Sequence, residues 1–238
     1  MINRDKYKKQ AAQKAVQLIE SGMIIGLGSG STAWFVLAEI GRLLREGTLE
    51  GIVGVPSSKM TEQSAREFGI PLGSLNEFPE LDLTIDGADE VDPQLNLIKG
   101  GGGALLREKI LAEHCRRLII AVDESKLSPI LGMKHPVPVE VIPFGYQPVL
   151  NFLSTLAAEA KLRLDQTHQP VLTDQGNYII DCKFAGLSEP EKLAAKLSSK
   201  AGIVEHGLFI NLASDVIVAG KHGIQHLVAM HKNRNDQS

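Results

Sequence analysis

The sequence predicts a doubly wound α/β fold, built on a mostly parallel sheet, together with a second and smaller α+β domain. Three observations predict it. Short apolar runs of four or five residues alternate with stretches of helical periodicity, as in a parallel sheet covered on both faces. Glycine-rich or acidic loops follow those runs. Near residue 130 the alternation stops and prolines crowd the chain.

In chain order, residues 5–20 carry Ala11, Ala12, Ala15, Val16, Leu18 and Ile19 on one helical stripe, closed by Gly22. An apolar run at 23–27 enters Gly28-Ser29-Gly30-Ser31-Thr32, after which Val36, Leu37, Ile40, Leu43 and Leu44 resume helical spacing. The grammar recurs at 52–55, followed by Ser57, Ser58 and a helical stretch ending at Gly69, and at 81–85, followed by Asp86-Gly87-Ala88-Asp89-Glu90. A run at 118–122 leads into Asp123-Glu124-Ser125-Lys126. Pro136, Pro138 and Pro143 then bracket 137–141, a helix is expected over 147–160, and strand-like pieces at 161–164 and 178–184 flank a turn-rich stretch. Ser188-Glu189-Pro190-Glu191 has the form of a capping box, opening a helix to about Lys200. A core-type strand at 215–219 is expected to rejoin the first sheet, and the polar end at 232–238 to fray. The expected division is a Rossmann-like catalytic domain over residues 1–130 plus 204–238 and a small α+β domain over 131–203.

A chain of 238 residues with 43% hydrophobic content buries a sizeable core. Its net charge of −3 comes from interspersed acids and bases, which disfavours nucleic acid and anionic membranes as partners. No run approaches the roughly 20 apolar residues of a membrane helix, and the amino terminus lacks a signal-like apolar stretch, so a cytoplasmic location is the expectation. Cys115 and Cys182 form no CxxC pattern and read as buried thiols rather than a disulfide framework or a zinc site.

Ligands of open parallel sheets bind at the carboxyl ends of the strands, where helix N-termini offer free amides. Four loops lie there. Gly28 to Thr32 offers bare backbone and the hydroxyls of Ser29, Ser31 and Thr32 at a helix start, which suits a phosphate. Gly28, Gly30 and Ala33 also satisfy a dinucleotide fingerprint, but the next strand ends Val55-Pro56-Ser57-Ser58 without the acid that would hold a ribose hydroxyl, so a phosphomonoester ranks above NAD. A glycine loop serving only a tight turn is the plainer alternative. Asp86, Asp89 and Glu90 put three carboxylates in five residues, a repulsion tolerated where acids bind hydroxyls, move protons or hold magnesium; a solvated acidic turn is the alternative.

The third loop is the most specific. Four consecutive glycines after Lys99, Gly100 to Gly103, cost backbone entropy, and they stand between an apolar segment and an amphipathic helix rather than in a linker. Close approach of a ligand explains them. Glu108 falls about one turn into that helix, near the loop, while Arg107 and Lys109 read as solvated or paired. The fourth loop, Asp123 to Lys126, supplies a second ammonium. His222 and His226, four apart, read as a surface helix end rather than a metal site, and His206 as a structural residue at the domain junction.

Taken together, these motifs, with Arg107-Glu108-Lys109, Ser125-Lys126 and Val204-Glu205-His206-Gly207-Leu208-Phe209, resemble those of the A-type ribose-5-phosphate isomerases in order and spacing over nearly the whole chain. The resemblance implies an aldose-ketose isomerase of the non-oxidative pentose phosphate pathway with no metal and no cofactor, acting on a small sugar phosphate as a homodimer or homotetramer. It implies Glu108 as catalytic base and substrate binding by Ser29, Gly30, Ser31, Thr32, Asp86, Gly87, Ala88, Asp89, Lys99, Gly100, Gly101, Gly102 and Lys126; the chemistry of isomerisation in turn casts Asp86 as an aid to ring opening and Lys99 as the stabiliser of the enediolate oxygen. Leu106 and Ser29 stand where many members carry threonine. Such chemistry asks for a base whose pKa is raised toward neutrality by partial burial.

Overall fold

The computed structural model describes residues 4–229. Helix α1 (Arg4–Val16) precedes strand β1 (Ile24–Leu27), helix α2 (Gly30–Arg45), β2 (Val53–Pro56), α3 (Lys59–Glu67) and β3 (Leu83–Asp86). The two-residue strands β4 (Glu90–Val91) and β5 (Leu97–Ile98) lead to α4 (Leu105–Glu113), β6 (Leu118–Asp123) and a 3-10 turn at Glu124–Lys126. Then come β7 (Val137–Val141), α5 (Tyr146–Ser154), β8 (Glu159–Leu162), β9 (Tyr178–Lys183) and α6 (Pro190–Ser198). The chain closes with β10 (Ile203–His206), β11 (Leu208–Phe209), β12 (Asp215–Gly220) and β13 (Gly223–Val228).

The main sheet has six strands in the order β13-β12-β6-β3-β1-β2, parallel except for β13. Its double covering follows from the period of two along each strand. Ile119 and Ala121 of β6, with Ile217 and Ala219 of β12, join Ala11, Ala15 and Val16 of α1 and Val36, Leu37 and Ile40 of α2. The alternate residues Leu118, Ile120, Val122, Val216 and Val218 face the other way, onto Leu111 and Ala112 of α4 and onto Phe209. A second sheet, antiparallel and ordered β10-β7-β9-β8, packs Val137, Val139, Val141 and Ile180 against Val149 and Leu153 of α5 and Leu197 of α6. A third, β11-β5-β4, is small. The mostly parallel sheet and the separate antiparallel one are the architecture that the sequence predicts, and the strand at 215–219 does rejoin the first sheet, parallel to β6.

Four local expectations differ from the structure. The first helix stops at Val16, four residues early; Ile19 still packs into the core beyond it. The helix expected over 147–160 ends at Ser154, and Glu159–Leu162 is β8. Ala157, Ala158 and Ala160 favour helix, but pairing with β9 and the ion pairs of Glu159 with Lys161 and Lys183 prevail over propensity. The helix α6 starts at Pro190 with Glu189 as its N-cap and no side-chain capping bond, so the Ser188 capping box is not formed. His222 and His226 lie on a β-hairpin rather than a helix. Gly223, at φ +102°, turns the chain into β13, and His226 bonds the buried Asp215 at 2.6 Å, beside the bidentate Arg117. Cys115 and Cys182 are buried in different hydrophobic clusters. The polar end at 232–238 lies outside the described residues.

Candidate active site

The carboxyl ends of β1, β3 and β6 open into a cavity of about 160 Å³, lined by Ser29 to Thr32, Gly87 to Asp89, Lys99 to Gly102, Glu108, Asp123, Ser125 and Lys126. Of the residues expected to be catalytic or substrate-binding, only Asp86 is missing from this lining; it is 2% exposed and is joined to the lining residue Lys99. Lys99 Nζ lies 2.9 Å from Asp86 Oδ2 and 3.5 Å from Glu108 Oε2, and donates to the carbonyl of Gly87 at 2.6 Å. The same Nζ lies over the ring of the fully buried Phe209, 5.5 Å from the centroid.

Local chain chemistry builds this arrangement. Asp86 ends β3, and its Oδ1 accepts the amides of Ser29 at 3.1 Å and Gly87 at 2.7 Å, so it ties the first two loops together. This explains Gly28: a Cβ there would stand 2.2 Å from Asp86 Oδ1. Gly100 takes φ +94°, and a Cβ on it would meet Leu105 at 2.7 Å, so only glycine permits the turn that brings the loop back over α4. The amide of Gly101 donates to Asp89 at 2.8 Å, which fixes the acidic loop against the glycine loop.

Glu108 is 5% exposed, in the first turn of α4, and its Oε2 accepts no hydrogen bond among the described residues. Burial pushes its pKa up to about 8; the Lys99 ammonium pulls it down, and Asp86 and Asp89 push it further up. For Lys99, burial works against the charge, but Asp86 and Glu108 outweigh it and hold the ammonium firmly protonated. The neighbour Lys109 turns away, to Glu205 at 2.6 Å and the carbonyl of His206 at 2.5 Å. His206, whose burial and proximity to Lys109 push its pKa down to about 4, serves as a hydrogen-bonding residue there. Arg107 faces Asp174 at 3.7 Å.

The three acids of the second loop do not converge. Asp86 is held by Lys99, Asp89 by Gly101, and the fully buried Glu90 accepts the backbone amides of Gly132, Met133, Lys134 and His135. Among the described residues no group of three His, Cys, Asp or Glu is placed to hold a metal ion. The hydroxyl of Ser29 is also committed elsewhere, bonding Ser57 at 2.7 Å, Ser58 at 3.0 Å and Thr61 at 3.1 Å, so Ser31 and Thr32 are the hydroxyls that this loop leaves to the cavity.

Sequence reasoning missed two cations. Arg4 and Lys8, one turn apart on α1, also line the cavity. Their spacing of four on a helix was the available signal; nothing local shows that the first turns of α1 border the cavity.

The family model described as "Ribose 5-phosphate isomerase A (phosphoriboisomerase A)" matches residues 53–223. The chain is 55% identical over 220 residues to the ribose-5-phosphate isomerase A of Chloroflexus aurantiacus, a match covering 92% of each. It superposes with a TM-score of 0.93, at 42% identity, on a D-ribose-5-phosphate isomerase solved in complex with phospho-erythronic acid, covering 95% of this chain and 100% of that one. On the ribose 5-phosphate isomerase of Plasmodium falciparum the TM-score is 0.91 at 39% identity, with 95% and 100% covered.

Proposed function

The chain belongs to the ribose 5-phosphate isomerase A family, and from that premise we propose that it interconverts D-ribose 5-phosphate and D-ribulose 5-phosphate through an enediolate, with Glu108 as the base. One observation carries this reading: a buried carboxylate, its pKa pushed up to about 8, lines a cavity of about 160 Å³ with a firmly protonated lysine 3.5 Å away.

In the open-chain aldose, Glu108 takes the proton from C2; the electron pair moves to form the C1=C2 enediolate, and the developing negative charge on the C1 oxygen is met by Lys99 and the glycine-loop amides. Glu108, now protonated, returns its proton to C1 as the C2 oxygen becomes the ketone. Hydroxyl protons pass through Asp86, which also assists ring opening, and Asp89 holds the sugar hydroxyls. The phosphate sits at the start of α2, where Ser31, Thr32 and the helix dipole are joined by Arg4 and Lys8. Lys126 contacts the substrate's polar groups from the β6 side.

The test is conversion of ribose 5-phosphate to ribulose 5-phosphate by the purified protein, with and without excess EDTA. Robust turnover indifferent to the chelator is expected; tight binding without turnover would turn the protein into a sugar-phosphate sensor, and EDTA-sensitive turnover would reopen a metal at Asp86 and Asp89.

The pH dependence has a definite sign. Glu108 must be ionised to act, so kcat/KM should fall as pH drops through about 8, the value to which burial raises the free enzyme's base. A pH-rate profile flat from 9 down to 6 would sink this role for Glu108.

Coarser features follow the same reading. We take the protein as cofactor-free, cytoplasmic, a homodimer or homotetramer, and at work in the non-oxidative pentose phosphate pathway. Of the described residues, we take those within 1–130 and 204–238 as the span of the catalytic domain and 131–203 as that of the smaller one. Among the described residues no helix is long and apolar enough to cross a membrane.

A further inference from the structure

Arg163 follows β8 in the antiparallel sheet, yet its guanidinium reaches the glycine loop of the cavity. Its Nη1 donates to the carbonyl of Gly101 at 2.9 Å and to that of Gly100 at 3.3 Å. The other edge of the fork is anchored: Nε and Nη2 bind the two carboxylate oxygens of Asp181, on β9, at 2.8 and 2.5 Å. Both side chains are largely shielded, 18% and 24% exposed. A bidentate arginine held in this way has little freedom to turn.

The consequence for the loop follows from peptide geometry. In a planar trans peptide the C=O and the N–H of the next residue point in opposite directions. The first of the two peptides obeys this visibly: the Gly100 carbonyl faces Arg163, and the Gly101 amide faces Asp89 on the other side, at 2.8 Å. By the same rule, pulling the Gly101 carbonyl toward Arg163 turns the Gly102 amide the opposite way, and Gly102 lines the cavity. A turn bond from the Gly103 amide to the Gly100 carbonyl, 3.0 Å, joins the ends of this turn, but it does not engage the central Gly101–Gly102 peptide, and glycine has no side chain to bias that peptide's orientation, so Arg163 sets it.

We propose that Arg163, anchored by Asp181, is a positioning residue that aims the Gly102 amide at the oxygen on which the enediolate charge develops. This rests on the isomerase reading above. A donor fixed in advance matters most in the transition state, so its loss lowers kcat more than it raises KM.

The experiment compares Arg163→Met, Arg163→Lys and Asp181→Asn with the wild type, measuring kcat, KM and inhibition by phospho-erythronic acid, whose carboxylate resembles the enediolate. For Arg163→Met we expect kcat to fall about thirtyfold with KM changed less than about threefold, and the inhibitor to weaken in step with kcat/KM. Asp181→Asn, which leaves the arginine but loosens it, should shift the same quantities in the same direction by less, and it covers the case in which Arg163→Met does not fold. Arg163→Lys, which keeps a donor but not the fork, should fall between. A folded Arg163→Met with wild-type kcat, or any of the variants raising KM with kcat unchanged, overturns the proposal. Wild-type conversion of ribose 5-phosphate tests the isomerase reading separately, so a failure of one is not mistaken for failure of the other.

Discussion

Glu108→Gln is expected to lower kcat about a thousandfold or more while KM stays within about threefold. The carboxylate is the group that both takes and returns the proton, so removing its basicity removes the route and not merely one of several contributions. Gln is close to isosteric and still presents an oxygen to Lys99, 3.5 Å away, so the walls of the cavity need not move. Stability provides the control. The native pKa of Glu108 is raised above its ordinary value, so the folded state binds more protons than the unfolded one between those two values, and stability falls as pH rises through that window toward about 8. Gln carries no charge to bury, so at pH 9 the variant should melt no lower than the wild type. A folded, substrate-binding variant without turnover supports the assignment. Near-normal turnover would sink it.

Much of this site was legible because its parts are local. Gly28 to Thr32, Asp86 to Asp89 and Lys99 to Gly102 each follow an apolar run, and a parallel sheet brings the ends of such runs together whatever their separation in sequence. The burial of Glu108 was foreseeable only as a chemical requirement; that it lies 5% exposed beside Lys99, whose own ammonium stands over Phe209 from a distant strand, is set by contacts made across the fold. Arg4, Lys8 and Arg163 were not legible for the same reason. Each is an unremarkable surface-type cation in its own segment, and its place depends on how α1 and the antiparallel sheet pack on the cavity. The errors of secondary structure have this cause too: Glu159 and Ala160 favour helix by propensity, and β9 recruits them as a strand. Ser29 shows the limit of motif reading, since the hydroxyl that appears aimed at a phosphate is spent on Ser57, Ser58 and Thr61.

Lys99→Met should produce three coupled changes whose signs follow from one geometry. First, kcat falls about a hundredfold or more, because the ammonium that meets the enediolate oxygen is gone. Second, the acid limb of the remaining activity moves to higher pH: Lys99 is the cation holding the Glu108 pKa down, and without it burial, Asp86 and Asp89 all act in the same direction. Third, the protein becomes less stable by about 3 kcal/mol or more, since Asp86, 2% exposed, loses the partner 2.9 Å away that compensates its buried charge. The second separates this role from a purely structural one. A lysine that only braced the loop would cost stability and activity together and leave the base's titration where it was. If instead the profile of Lys99→Met moves to lower pH or stays in place, the ammonium is not the counter-charge of the base. The same experiment read alongside Glu108→Gln distinguishes the two residues: Gln removes the titrating group and with it the acid limb, whereas Met leaves the group and displaces it upward.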